Sequence, residues 1–134
     1  MTASYAIGTT LRRSYDESVE AVRAALAEQG FGVLTEIDLA ATLKAKLGVE
    51  VAPQVILGAC RPSLAYEALQ VDPSIAAVLP CNVVVRSVDE GTTVVEAFDP
   101  EAMMGLADNV ALASVAADAK QRLTAALSAL SEEN

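Results

Sequence analysis

The stretch that decides the fold is Val55-Ile56-Leu57-Gly58-Ala59-Cys60-Arg61-Pro62. Its first half is apolar on both faces of an extended chain, which is typical of a central strand covered on both sides. Pro62 fits the first turn of a helix, because its missing N–H would have no partner there anyway. The stretch therefore predicts a buried strand followed by a helix over about residues 62–70, with Cys60 at the junction.

Two pairs of a strand and a helix are predicted before this stretch. Alternating apolar residues indicate a strand over about residues 4–12. The capping box formed by Ser14 and Glu17 then begins a helix, and Gly30 ends it. A second strand follows over about residues 31–37, and Asp38 caps a short helix after it.

The elements after the stretch complete an α+β pattern. A single turn is predicted over residues 73–78, followed by a hairpin of two β-branched runs at residues 83–85 and 92–95. Asp99-Pro100 ends the hairpin, and helical spacing over about residues 108–130 predicts a long C-terminal helix. The order βαβαβαββα predicts an α+β fold and a single domain over residues 1–134, with a mixed sheet of about five strands packed by helices.

Charge and composition exclude several classes of function. The chain has 134 residues and a formal net charge of −9, which repels a phosphate backbone and argues against nucleic-acid and membrane partners. Aromatic residues make up 4% of it, so its core must be aliphatic. No signal peptide or apolar run of membrane-spanning length is present, and we expect a cytoplasmic protein.

The sequence contains no histidine. Catalytic sets that need an imidazole base are therefore excluded, together with zinc or haem held by histidine. Any chemistry must use Cys60, Cys81, carboxylates, Tyr, Lys or Arg. In a reducing cytosol such a cysteine pair is more often a pair of free thiols, a metal site or a redox couple than a structural disulfide.

Several short motifs, taken together, resemble the bacterial and archaeal family known as domain of unknown function 302. The matching residues are Thr35-Glu36-Ile37-Asp38, Leu43-Lys44-Ala45-Lys46-Leu47-Gly48, Ile56-Leu57-Gly58-Ala59-Cys60-Arg61-Pro62, Leu64-Ala65-Tyr66, Ala68-Leu69, Leu79-Pro80-Cys81-Asn82-Val83-Val84-Val85, Asp99-Pro100 and Met103. The resemblance implies a small α+β domain that commonly forms a dimer, without an assigned activity. Members of the family often have Asn where this chain has Arg61.

Cys60 is the first candidate site residue. A thiol at a helix N-terminus lies near unsatisfied N–H groups and the positive end of the helix dipole, and Arg61 adds a cation, so the pKa of Cys60 should fall if the thiol faces that end. The functional interpretation is a reactive thiolate, or an anion pocket made by the same N–H groups. The structural interpretation is a small buried residue that closes the end of a strand.

Cys81 and Asn82 begin the next strand, and their position relative to Cys60 depends on the crossover. A single helical crossover would make the two strands parallel and place the sulfurs at opposite ends of the sheet. If the turn at residues 73–78 reverses the chain, both cysteines and Asn82 meet at one end. The family resemblance favours the second arrangement.

Glu36 and Asp38 form the other candidate set, since residues two apart in a strand share a face. Such a pair could act as general acid and base or bind a hard metal. The structural alternative is that Asp38 caps a helix while Glu36 points to solvent. Met103 and Met104 could be soft metal ligands, could line a pocket, or could fill gaps in the core. No metal site is predicted from spacing, and the cofactor is unknown.

Three functional hypotheses remain open on the sequence. The favoured one is a dimeric small-ligand-binding protein with a pocket near Cys60, Arg61, Cys81 and Asn82. The second is a thiol enzyme or redox protein in which Cys60 is the nucleophile and Cys81 the resolving cysteine. The third is an interaction protein without a ligand, in which the C-terminal helix and a sheet face form a homodimer.

Overall fold

A computed structural model describes residues 3–107 and 109–132. Five strands form one sheet in the spatial order β1-β5-β4-β3-β2. The strand bounds are Ala6–Leu11 for β1, Gly32–Asp38 for β2, Gln54–Cys60 for β3, Cys81–Asp89 for β4 and Thr92–Phe98 for β5. Every neighbouring pair is antiparallel, so the sheet is antiparallel throughout rather than mixed.

The helices follow the predicted order, with one addition. Their bounds are Tyr15–Glu28 for α1, Leu39–Leu47 for α2, Pro62–Val71 for α3, Pro100–Ala107 for α4 and Ala113–Glu132 for α5, with short 3₁₀ turns at Pro73–Val78 and Val110–Leu112. The α+β class and the order βαβαβαββα are confirmed. Helix α4 was not predicted, and Asp108, the expected start of the C-terminal helix, lies outside the described residues.

The predicted helix caps form as expected. The hydroxyl of Ser14 accepts a hydrogen bond from the backbone N–H of Glu17 at 3.3 Å. A carboxylate oxygen of Asp38 accepts one from the N–H of Ala41 at 2.9 Å and so caps α2. Each cap satisfies a backbone donor that the first turn of its helix cannot.

Two hydrophobic clusters hold the fold together. The larger, which we call the sheet core, joins one face of the sheet to α1 and α5; it includes Leu11, Val22, Leu57, Val85 and Leu123. The smaller, which we call the helical cluster, consists of Leu64, Ala68, Ile75, Met103, Leu112, Val115 and Ala119. Helix α5 contributes to both clusters, so its apolar face is used within one chain.

Candidate functional site

The strand register brings the two cysteines to the same end of the sheet. Strands β3 and β4 are antiparallel, with Ala59 opposite Cys81 and Gly58 opposite Asn82. This is the arrangement in which the turn at Pro73–Val78 reverses the chain after α3. Cys60 and Cys81 are therefore neighbours across two strands, one residue out of register.

A small cavity lies at this end of the sheet, at the seam between the sheet core and the helical cluster. Its volume is about 30 Å³, and one water needs roughly 10 to 15 Å³ of such volume. Both cysteines line it, together with Phe31, Ala59, Arg61, Leu64, Ala65, Ala68, Leu79, Pro100, Met103, Val115 and Ala119. The cavity is thus mainly aliphatic, with three sulfur-bearing residues and one cation on its wall.

The two thiols differ in their depth. Both are partly exposed, and more protein atoms surround Cys81 than Cys60, the last residue of β3. Successive side chains of a strand point to opposite faces of the sheet. Because Cys60 and Cys81 are one residue out of register, regular strands would direct them to opposite faces. Cys60 therefore borders the cavity from its rim, at the point where β3 ends and α3 begins.

Burial raises the pKa of the Cys60 thiol above its ordinary value. The pKa of Cys81 is raised first by burial and then by the negative charge that Cys60 acquires when it ionises. The expectation that the pKa of Cys60 falls was wrong, because desolvation by burial disfavours the thiolate. This repulsion agrees with the position of both thiols on the wall of one cavity.

Arg61 is held by groups other than the thiols. Its Nε donates to the carbonyl oxygen of Gln29 at 3.2 Å, and its Nη1 donates to the hydroxyl of Ser63 at 2.7 Å. Gly30 adopts a φ of +82°, and a Cβ there would lie 2.8 Å from Nε of Arg61. The guanidinium therefore covers the C-terminal end of α1 as well as lining the cavity.

Asn82 lies apart from the thiol cavity. Its neighbour Cys81 points towards the helices, so Asn82 faces the opposite side of the sheet. There it lines a shallow groove of about 270 Å³ with Tyr5, Val84, Glu96 and Phe98. The structure does not bring Asn82 together with the cysteines on one surface.

Glu36 and Asp38 also lie away from the cysteines. Gly32 is the residue of β2 opposite Cys60, and Asp38 lies roughly 20 Å further along that strand at about 3.3 Å per residue. Glu36 forms an ion pair with Arg23 at 2.6 Å. Both carboxylates contribute, after burial, to the raised pKa of Tyr15. This end of the sheet is a surface of paired and capping charges.

The sequence indicated Met103 as a possible pocket residue, but it did not indicate α4, the helix that places Met103 in the cavity wall. Met103 is buried and lies on α4, and that helix is fixed by Asp99. One carboxylate oxygen of Asp99 accepts from the N–H of Glu101 at 2.9 Å, and the other accepts from Lys120 of α5 at 3.1 Å. The sequence signal that indicates α4 is Pro100, which begins that helix as Pro62 begins α3.

None of the helices in the described part of the chain combines the length and apolar composition that a membrane span requires. Over residues 3–107 and 109–132, no group of three His, Cys, Asp or Glu is placed to hold a metal ion.

The fold and the cavity define a small α+β protein with a pair of thiols at one end of an antiparallel sheet. The family model described as domain of unknown function DUF302 matches residues 7–130. The chain belongs to this family, as the resemblance in its motifs indicated.

A solved relative has the same fold. The crystal structure of an uncharacterized conserved DUF302 protein from Bacillus stearothermophilus is 31% identical in sequence and superposes with a TM-score of 0.86. The match covers 94% of this chain and 98% of that one. No protein of curated function matches the chain.

Proposed function

We propose that this protein is a binding module for a very small, thiol-seeking ligand, held in the cavity between Cys60 and Cys81. The observation that carries the proposal is that both cysteines line one cavity at the seam of two hydrophobic clusters. Protein interiors are normally close-packed, so a void with reactive groups on its wall needs an explanation. A ligand that enters this seam supplies one.

The size of the cavity limits the ligand. A volume of about 30 Å³ is roughly a tenth of the smallest pockets that hold drug-sized molecules. An ion or a molecule of a few atoms fits without rearrangement. A metabolite with a ring or a phosphate does not.

The raised thiol pKa values favour binding over nucleophilic catalysis. Both thiols are protonated near neutral pH, whereas a catalytic cysteine needs a lowered pKa. Alkylation of Cys60 at pH 7 should therefore proceed no faster than that of a small free thiol. A faster reaction would favour the thiol-enzyme hypothesis instead.

Native mass spectrometry of the protein, purified under reducing conditions without added ligand, tests the proposal. Wild type should retain an additional mass that Val115→Ile loses, because the added methyl group fills cavity space without changing either cysteine. Val22→Ile, in the filled sheet core, is the matched control; it should be less stable but keep the mass. The same retained mass in wild type and Val115→Ile, or none in either, would contradict the proposal.

We also propose that the protein is a homodimer, with α2 and the edge strand β2 at the interface. No residue of α2 is buried, and Leu47 at its end is 69% exposed. A helix this short is marginal in water unless its apolar face packs against something. Leu34 and Ile37 of β2 are also exposed.

A second copy of the chain provides such a packing surface. Sedimentation should show a dimer for wild type and a monomer for Leu47→Glu. The control Val110→Glu changes a residue that is 91% exposed on a different element, and it should remain dimeric. A wild type that sediments as a monomer at all concentrations would contradict this part of the proposal.

The compartment is proposed on the state of the cysteines. Both are free thiols, and both line the same cavity. Proteins of oxidising compartments commonly use such neighbours as a disulfide. We therefore place the protein in the cytoplasm.

A further inference from the structure

We infer that the ligand is a soft monovalent metal ion of the Cu(I) class, bound by the sulfurs of Cys60, Cys81 and Met103. The inference rests on the proposed binding function and names its ligand class. Thiolate and thioether sulfur are the donors that select Cu(I) over harder ions. All three residues line the same cavity.

The size and polarity of the cavity support a bare ion. Its remaining wall is largely aliphatic, with Leu64, Ala68, Leu79 and Val115 among the lining residues. Such a wall cannot replace the water or oxygen ligands that Mg²⁺ and Ca²⁺ retain. It also offers few hydrogen-bond partners to the water that would compete for a soft ion.

The donor number separates Cu(I) from Zn²⁺. Structural zinc sites use four protein ligands, most often thiolates and imidazoles. Here the chain has no histidine, and only two cysteines are available. A third sulfur donor completes a trigonal site for a monovalent ion, and it leaves Zn²⁺ one ligand short.

The charge balance of the site also fits. One Cu(I) ion displaces the protons of two thiols, so two protons are released and the bound unit, Cu(S–Cys)₂, has a net charge of −1. The thioether of Met103 adds no charge. Arg61 lines the same cavity, and α3 begins beside it at Pro62, so a cation and the positive end of a helix dipole offset this charge.

Proton release predicts a steep dependence on pH. Both thiols must lose a proton to bind the ion, so the pKa values of both thiols enter the apparent affinity. Below these pKa values, the apparent affinity should increase about 100-fold for each unit of pH, because two protons leave for each ion bound. Binding through one thiolate would give about a tenfold change instead.

Competition with bicinchoninate, a chromophoric Cu(I) chelator, tests the inference under anaerobic conditions. Wild type should bind one Cu(I) per chain. Cys60→Ser and Cys81→Ser should each weaken binding at least about 100-fold, since each removes a thiolate. Met103→Leu keeps the volume and should weaken binding about tenfold.

Circular dichroism must show that each variant is folded; Cys60→Ala and Cys81→Ala replace any serine variant that is not. Zn²⁺ should not displace Cu(I) at equal concentration. Wild-type affinity in either cysteine variant would overturn the inference, and so would unchanged affinity in Met103→Leu.

The failure of this inference is distinguishable from failure of the binding function. If the purified protein holds an organic mass that Val115→Ile loses, and Cu(I) does not bind, the metal assignment is wrong while the binding function stands. If neither Cu(I) nor any retained mass is found, both are wrong.

Discussion

The two ends of β2 and β3 carry the two sets of polar residues that the sequence singled out, and they differ in what surrounds them. At the cysteine end, three helices close over the sheet and leave a cavity between two hydrophobic clusters. At the carboxylate end, Asp38 caps α2 and Glu36 pairs with Arg23 at the surface. Both sets are candidate site residues in the sequence. In the structure the cysteines line a cavity, whereas Asp38 and Glu36 make solvent-exposed structural contacts.

The physical reason for the difference is the position of each residue relative to the helices. Cys81 follows a turn that reverses the chain beneath α3, so its side chain enters the space between sheet and helices. Glu36 and Asp38 lie on an edge strand, where α1 covers the sheet only in part. Burial therefore changes the chemistry of the thiols and leaves the carboxylates to ordinary surface interactions.

At the cysteine end of the sheet, the largest change in the free energy of unfolding is expected for a substitution at Gly58. A Cβ at this position would lie 2.1 Å from Oγ1 of Thr35 and 2.9 Å from Cγ of Pro80. Gly58→Ala should lower the free energy of unfolding by about 2 to 3 kcal/mol, because overpacking forces neighbours out of place. Urea denaturation measures the change.

Two companion variants interpret that result. Gly91→Ala should cost far less, because nothing lies within 4 Å of a Cβ there. The loss caused by Gly58→Ala should shrink in a Thr35→Ala background. Equal losses for Gly58→Ala and Gly91→Ala would show that the strands at the cysteine end are not packed as closely as described.

Asp38 tests the structural role of the carboxylate end. Asp38→Ala removes the acceptor for the N–H of Ala41 and should cost about 1 kcal/mol, as losses of helix N-caps do. Asp38→Asn should retain most of that stability, since its amide oxygen can accept the same hydrogen bond. If Asn were as costly as Ala, a charged role for Asp38 would replace the capping role.

The dependence of the free energy of unfolding on alkaline pH should differ between substitutions at the two ends of the sheet. Because burial raises the pKa of Cys81 in the folded protein, folding favours its protonated thiol. That contribution is fully present below the unfolded pKa of about 8.5 and is lost as the pH rises through the folded pKa. The free energy of unfolding of wild type should therefore decrease more steeply above about pH 8.5 than that of Cys81→Ser.

Chemical denaturation at several pH values measures this difference. Gly91→Ala serves as the control from the other end of the sheet and should follow the wild-type slope, because it removes no charge and nothing lies within 4 Å of the added Cβ. Parallel curves for wild type and Cys81→Ser would mean that the Cys81 thiol is not desolvated.

The smallest effect is expected at Glu36. Its side chain is 53% exposed and its partner Arg23 is 34% exposed, so solvent screens the pair. Glu36→Gln should change the free energy of unfolding by less than about 0.5 kcal/mol. A double-mutant cycle with Arg23→Gln checks the coupling. A coupling above about 1 kcal/mol would show that this end is less solvated than described.

Local signals predicted the elements because each depends on neighbouring residues. Each signal lies within a few consecutive residues. Examples are the Ser14 and Asp38 caps, the end of α1 near Gly30 and the proline at the start of α3. Helix α4 was missed although Pro100 has the same role as Pro62. Asp99-Pro100 was interpreted as the end of a hairpin, and it is also the start of a helix.

The sheet order and the cavity could not be predicted in this way. Residues 62–80 had two possible crossovers, and only the position of the 3₁₀ turn against α3 decides between them. The cavity is bounded by residues as far apart in sequence as Phe31 and Ala119. Its closure depends on how α4 and α5 pack, which is fixed by Asp99 and Lys120 rather than by a motif.

The most direct test asks whether both sulfurs reach one shared space. A monomethyl trivalent arsenical forms two As–S bonds with a pair of nearby thiols and releases two water molecules. Mass spectrometry of treated wild type should show one such group bridging Cys60 and Cys81. Val115→Ile fills the cavity through which the reagent reaches the thiols, so it should show none. Arsenic attached to a single thiol, or absent from wild type, would contradict the shared cavity on which this account rests.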